Sequence, residues 1–260
     1  MMIKTTQAVL LSTASFIILP SYANSTNQET NSPIQFDGYV TLTSKYISRG
    51  LTNAPENDDL AIQTGLNLSY NNFYVGYWGS TLGYSYAELQ GDKRRKTDKL
   101  EHDFIVGYSF DTGRTNWNIW NATYFYPNAS NTTSNEMGVT ATHQFNDKNS
   151  LSTSLSAYTY DVVYANQGDT YLNVIYTHQL NDKLSATASA AASYFNDNGK
   201  YEGLELGDTK REFTYRFSSI GLDYALTPEL GLSGQYIFGG KNRYNEKQKN
   251  LGVVAFTYSF

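Results

Sequence analysis

From residue 36 to its end, the chain repeats one phrase: about ten residues in which apolar and polar positions alternate, followed by a break. Leu60, Ile62, Thr64, Leu66, Leu68 and Tyr70 alternate with Ala61, Gln63, Gly65, Asn67 and Ser69. Leu172, Val174, Tyr176, His178 and Leu180 alternate in the same way with Tyr171, Asn173, Ile175, Thr177 and Gln179. A period of two places each set on its own face of a β-sheet. Beyond residue 23 no comparable stretch follows the helical period. The phrase predicts twelve strands, at 36–49, 60–70, 73–86, 100–110, 115–126, 135–145, 150–160, 169–180, 184–195, 211–226, 230–239 and 249–260. In the tenth, Phe213, Tyr215 and Phe217 share one parity while Ile220, Leu222, Tyr224 and Leu226 take the other. A β-bulge near Ser218 and Ser219 reconciles them and leaves the direction of Arg216 open.

The connections are sorted by length. Short turns fall at 71–72, 111–114, 146–149, 181–183 and 227–229, and longer polar loops at 50–59, 87–99, 127–134, 161–168, 196–210 and 240–248. Short and long alternate throughout. That is the signature of a closed antiparallel transmembrane β-barrel, with short periplasmic turns and long outer loops. An even strand count also puts both chain ends in the periplasm. Two turns nearly repeat, Thr142–Lys148 (Thr-His-Gln-Phe-Asn-Asp-Lys) and Thr177–Lys183 (Thr-His-Gln-Leu-Asn-Asp-Lys), as in a barrel grown from similar hairpins. Gly252, Val254, Phe256, Tyr258 and Phe260 share a face of the last strand. Ending on an aromatic resembles the C-terminal signal that the barrel-insertion machinery recognises, carried here by Phe256, Tyr258 and Phe260.

Composition agrees with a barrel wall. Mean hydropathy is −0.48 although 15% of residues are aromatic, which fits a sheet that hides only every second residue in lipid. No run of about 18 apolar residues exists, so membrane helices are excluded. The absence of cysteine rules out disulfides and thiolate metal sites, and no cofactor is expected. A net charge of −5 argues against nucleic acid as a partner. The N-terminus reads as an export signal over residues 1–23: Lys4, an uncharged stretch from Ala8 to Leu19, then Pro20 and the small residues of Ser21-Tyr22-Ala23. Residues 24–34 read as a flexible lead-in and 35–260 as the barrel, placed in a Gram-negative outer membrane.

The first half carries a more specific likeness. Ser44-Lys45-Tyr46-Ile47-Ser48-Arg49-Gly50, Ala61-Ile62-Gln63-Thr64-Gly65, the run Phe73–Ser80 (Phe-Tyr-Val-Gly-Tyr-Trp-Gly-Ser) and the run Leu100–Tyr108 (Leu-Glu-His-Asp-Phe-Ile-Val-Gly-Tyr) resemble the TorF-type porins, the Gcw-type conserved hypothetical proteins. The resemblance covers about residues 36–110 in motifs and the rest in strand rhythm. Lys45 stands where the family often has an acidic residue, and Leu60 replaces a proline. The resemblance implies an outer-membrane channel for small polar or charged solutes.

In such a channel the polar residues of the inner face set what passes. With Val40, Leu42 and Tyr46 assigned to lipid, Thr41, Thr43, Lys45 and Arg49 point inward, joined by Gln63, Asn67, Glu101, Asp103, Asp223 and Gln235. The expectation is a charged constriction in which Lys45 and Arg49 face Glu101 and Asp103. Equally open is that these charges pair with one another and only fill the lumen. Lys93, Arg94, Arg95 and Lys96, in an outer loop, are candidates for lipopolysaccharide phosphates. Two other classes compete with a channel. A barrel lipid hydrolase needs a Ser–His pair at the outer interface, but His143 and His178 fall near the periplasmic rim. His102, at the outer end of its strand, has no catalytic serine motif in its local sequence. A structural or adhesive barrel with a closed lumen is the other, though its loops would be modest. A monomer is expected.

Overall fold

The computed structural model describes residues 33–54, 59–90, 99–204 and 206–260. The expected signal over 1–23 and most of the expected lead-in lie outside them; Ile34, the last lead-in residue, already belongs to the first strand. Twelve strands form one antiparallel sheet: β1 (Ile34–Thr43), β2 (Ala61–Tyr70), β3 (Phe73–Thr81), β4 (Leu100–Thr112), β5 (Thr115–Phe125), β6 (Ser134–Asn146), β7 (Asn149–Tyr158), β8 (Thr170–Asn181), β9 (Leu184–Tyr194), β10 (Phe213–Ala225), β11 (Leu230–Gly239) and β12 (Leu251–Ser259). Among the described residues one short helix, α1 (Tyr86–Leu89), sits in the loop after β3. Each strand pairs with its sequence neighbours, and β1 pairs with β12, so the sheet is a closed barrel.

Alternation sets the two faces as the sequence predicts. Ile62, Leu66, Leu68, Val75, Phe104, Val106, Ile220, Leu222, Val254 and Phe256 are all exposed on the outside. This apolar exterior belongs in lipid, where a closed barrel leaves no backbone group unpaired. The chain is therefore an outer-membrane β-barrel, with its short turns periplasmic and its long loops outward. Inside, three aromatic rings each lie over a glycine of the neighbouring strand: Tyr39 over Gly65, Tyr74 over Gly107 and Trp120 over Gly138. The repeated turns behave alike: each strand slips register at its end, between Gln144 and Asn146 and between Gln179 and Asn181. In both, the asparagine Oδ1 accepts the lysine amide two residues on at 3.0 Å.

Three expectations are corrected. The first strand ends at Thr43, not residue 49, after Ser44 N donates a last rung to the Val254 carbonyl. The chain then turns into the lumen, so Tyr46, assigned to lipid by parity, is buried inside. Burying Tyr46 and Ile47 contributes about 1.5–3 kcal/mol each. The ladder bonds forgone lie at the rim, where water replaces them, and are worth only about 0.5–1.5 kcal/mol each. The third strand ends at Thr81 rather than 86 for a like reason, its following tyrosines packing inward. The bulge of the tenth strand falls at Arg216, between Tyr215 and Phe217, not at Ser218–Ser219. Phe217 is accordingly buried while Tyr215 faces lipid.

The seam is held on both faces. Inside, the Thr41 and Thr257 hydroxyls meet at 2.7 Å. Outside, Gly38 and Phe260 exchange backbone hydrogen bonds of 3.0 and 2.9 Å, and a Cβ on Gly38 would lie 2.8 Å from the Phe260 ring. Gly38→Val should therefore loosen closure by about 1–3 kcal/mol and lower the temperature at which the heat-modifiable gel band is lost. Gly234→Ala, where a Cβ meets nothing within 4 Å, should leave that temperature unchanged.

Candidate functional site

The segment from Ser44 to Ala54 forms a strap across the lumen, and its consecutive residues Tyr46 and Ile47 pack on opposite walls. Tyr46 joins Trp78, Ile105, Trp120 and Tyr124, whereas Ile47 joins Tyr171, Phe217, Ile237 and Val253. The strap tip is a turn closed by Leu51 N on the Ser48 carbonyl at 2.8 Å, with φ of 48° at Arg49 and 74° at Gly50. A side chain on Gly50 would be strained at that φ, and its Cβ would lie 2.5 Å from the Phe217 ring. Farther along, Thr52 Oγ1 donates to the Lys249 carbonyl at 2.6 Å and Asn53 Nδ2 to that of Lys247 at 2.8 Å, tying the strap to the loop before β12.

Arg49 fixes the tip to the far wall. Its Nη2 lies 2.6 Å from Glu136 Oε2 on β6, and its guanidinium sits over the rings of Tyr158 and Tyr171 at 5.2 and 4.9 Å. Glu136 is fully buried and also accepts from Tyr124 at 2.5 Å and Ser156 at 2.6 Å. The backbone of the tip is held from the other side, where Arg216 Nε and Nη2 donate to the Arg49 carbonyl at 3.2 and 3.1 Å. A second buried carboxylate, Glu101, is held by the hydroxyls of Tyr46 and Tyr126, the latter at 2.7 Å.

Beside the strap lies a cavity of about 360 Å³, lined by Arg49, Glu101, Arg216, Arg243 and a wall of tyrosines that includes Tyr158 and Tyr164. Its outer rim is built by Arg243, which pairs with Asp169 at 2.8 Å, reaches Glu202 at 3.7 Å and donates to Thr209. One side chain thus ties together the loops before β8, β10 and β12. Burial raises the Asp169 carboxyl from its ordinary value, against the pull of Arg243. At Glu202 burial acts the same way, but hydrogen bonds from Thr209 and Asn166 and the Arg243 charge outweigh it and leave that carboxyl lowered.

Of the ten residues expected to point inward, the structure brings only Arg49 and Glu101 to this cavity. Asp103 is buried on the inner face of β4 and Asp223 on that of β10. Gln63 and Asn67 are half-buried on β2, Asn67 donating to Asp37 at 3.2 Å. Gln235 donates to Ser219 at 2.7 Å. Lys45 is half-buried on the strap, where its carbonyl accepts from Thr43. Of the expected facing of Lys45 and Arg49 by Glu101 and Asp103, the structure keeps Arg49 and Glu101 on one cavity, but the strap carries the Arg49 guanidinium to Glu136, which is its ion-pair partner. Glu136, Arg243 and the tyrosines were not singled out from the sequence. A signal for Glu136 existed, since it shares the inner parity of β6 with Gly138 and Thr140, opposite Met137 and Val139. Lys93, Arg94, Arg95 and Lys96 lie outside the described residues. Phe256, Tyr258 and Phe260 face lipid. His143 and His178 bond Thr115 and Asn149 at the periplasmic rim, and His102 meets the Tyr77 hydroxyl at 2.8 Å.

Removing Glu136 leaves a buried guanidinium and two hydroxyls without their acceptor. Glu136→Ala should destabilise the barrel by about 3–5 kcal/mol, measured by urea unfolding in vesicles. The double variant Arg49→Met, Glu136→Leu should recover most of that loss; a double variant as unstable as the single one would show that the charge pair is not its source.

Comparison with solved structures finds porin barrels. The KdgM porin aligns with a TM-score of 0.55 at 7% identity, over 86% of this chain and 98% of that one. The NanC porin aligns with a TM-score of 0.51 at 13% identity, over 87% and 99%. At these identities the likeness is one of fold. The comparison with curated proteins finds no match. The family model for a bacterial protein of unknown function, Gcw_chp, matches residues 27–239, well beyond the stretch in which the sequence motifs are recognisable. The chain belongs to the Gcw_chp family, and its fold is that of an outer-membrane porin barrel.

Proposed function

We propose that the barrel is a passive channel for small polar or charged solutes, narrowed by its own first outer loop. The observation that carries this reading is the strap: a loop turned into the lumen whose charged tip is pinned between β6 and β10 rather than packed as an apolar stopper. Twelve strands enclose a narrower lumen than the 16–18 of the water-filled porins, so one loop is enough to form an eyelet. Toward the periplasm the inner face carries small polar side chains, among them Asn67, Ser150, Ser152 and Thr187, all half-buried. Opposed charges at a narrow, low-dielectric passage act strongly on a solute. Solutes that fit are small, or extended and threaded.

The same reading covers the partners. The exterior meets outer-membrane lipid, and Phe256, Tyr258 and Phe260 are offered as the signal for the insertion machinery. Residues 1–23 serve export, Lys93 to Lys96 meet lipopolysaccharide phosphates, and the barrel works as a monomer. A closed, structural barrel is the second reading, favoured by the packing of Tyr46 and Ile47 on both walls. A lipid hydrolase is disfavoured by the engagement of His102 with Tyr77, which suits an interfacial anchor.

Planar bilayers test the channel. The protein should give small, ohmic single-channel steps, and Arg49→Ala, which frees the strap tip, should raise them severalfold and shift ion selectivity. Unchanged conductance and selectivity would remove Arg49 from any constriction. A silent wild-type protein whose Arg49→Ala variant conducts would favour the closed barrel.

A further inference from the structure

Arg216 differs from its neighbours in having no carboxylate. Arg49 is paired with Glu136, and Arg243 with Asp169 and Glu202, but among the described residues no acidic group pairs with Arg216. Its side chain is nevertheless buried, at 5% exposure. Nε and Nη2 are spent on the Arg49 carbonyl, which leaves Nη1 and one N–H of Nη2 for the cavity that Arg216 lines. A buried guanidinium without a counter-charge is costly to hold, and the fold holds it deliberately. Arg216 is the extra residue of the β10 bulge, outside the ladder to β9, and its carbonyl is fastened by Gly240 N at 2.8 Å. Bulges of this kind re-aim side chains beside functional sites. The Phe195 ring backs the guanidinium at 5.2 Å. Thr214, the preceding inward residue of β10, buries a hydroxyl that has no hydrogen-bond partner.

We propose that Arg216 anchors a subsite for a small organic monocarboxylate, whose carboxylate lies on the free edge of the guanidinium and whose body rests on the tyrosine wall. The guanidinium fork matches a planar carboxylate. The one cavity guanidinium without an acidic partner among the described residues calls for one carboxylate: Arg243 is already neutralised, and a second negative charge would meet Glu101 and Asp169, which line the same cavity, and Glu202 at its rim. The cavity, at about 360 Å³, lies within the usual range for small-molecule sites. Tyr158 and Tyr164 line the cavity and give a pyranose or aromatic body an aromatic surface to rest on.

The subsite rests on the channel reading but is tested apart from it, by isothermal titration of the purified full chain in detergent micelles. Sodium glucuronate should bind at a single saturable site, at least tenfold more tightly than glucose or inorganic phosphate. Arg216→Met should lose that binding by tenfold or more, and Arg216→Lys, which keeps the charge but not the fork, should fall between. No binding to the wild-type barrel, undiminished binding to Arg216→Met, or equal binding of phosphate would each overturn the proposal. Should Arg216→Met fail to yield a heat-modifiable barrel, undiminished binding to Arg216→Lys would overturn it instead. A barrel that binds glucuronate and conducts nothing refutes the channel and leaves the subsite standing; one that conducts and binds nothing does the reverse.

Discussion

The structure depends on the pairing of β1 with β12. Lipid supplies no hydrogen bonds, so a strand with a free edge in the bilayer would leave a row of backbone groups unmet, each costing several kcal/mol. Once that edge is sealed, the remaining features follow in order. Every second side chain faces lipid and is mostly apolar, every other one faces a shared interior, and irregular backbone is driven to the two rims. The seam has its own fittings on both faces, the threonine pair of Thr41 and Thr257 within and the Phe260 ring over Gly38 without.

Closure also creates a space that must be filled or used. A soluble core would fill it with aliphatic side chains, but here the wall contributes aromatic rings seated over glycines on one side and mostly small serines, threonines and alanines on the other. The strap occupies what is left. It lays one apolar residue on each wall and then sets its charged tip between them, so that packing positions the strap and electrostatics fixes it. The buried carboxylates Glu101 and Glu136 are satisfied chiefly by tyrosine and serine hydroxyls, groups that donate without carrying charge. This spares the positive charge of the arginines: Arg49 is needed for one carboxylate only, and Arg216 for none.

The more elaborate build of the outer half comes from the loops. Arg243 draws three of them together through Asp169, Glu202 and Thr209, and thereby roofs the cavity beside the strap. The small polar inner face toward the periplasm has no comparable structure. In the proposed channel, selection falls near the outside, and passage below it is left to a polar wall.

Much of this architecture was legible in the residues. Period two in Leu60–Tyr70 and Leu172–Leu180, the sorting of short turns from long loops and the aromatic terminus determine strand number, order, faces and membrane setting, because each is a local or nearest-neighbour property. Parity even placed Glu101, Asp103 and Asp223 inside. It failed at Tyr46 and Phe217, and the reason is the same in both. Alternation assigns a face only while the ladder continues, and only tertiary packing decides where the ladder stops or slips. Leaving the wall at Thr43 is decided by partners more than fifty residues away, Glu101, Glu136 and Phe217, which no local pattern connects to the strap. The sequence by itself determined the barrel; the tertiary structure alone decided which of its charges meet across the lumen, because that depends on distances between strands that only closure brings within reach.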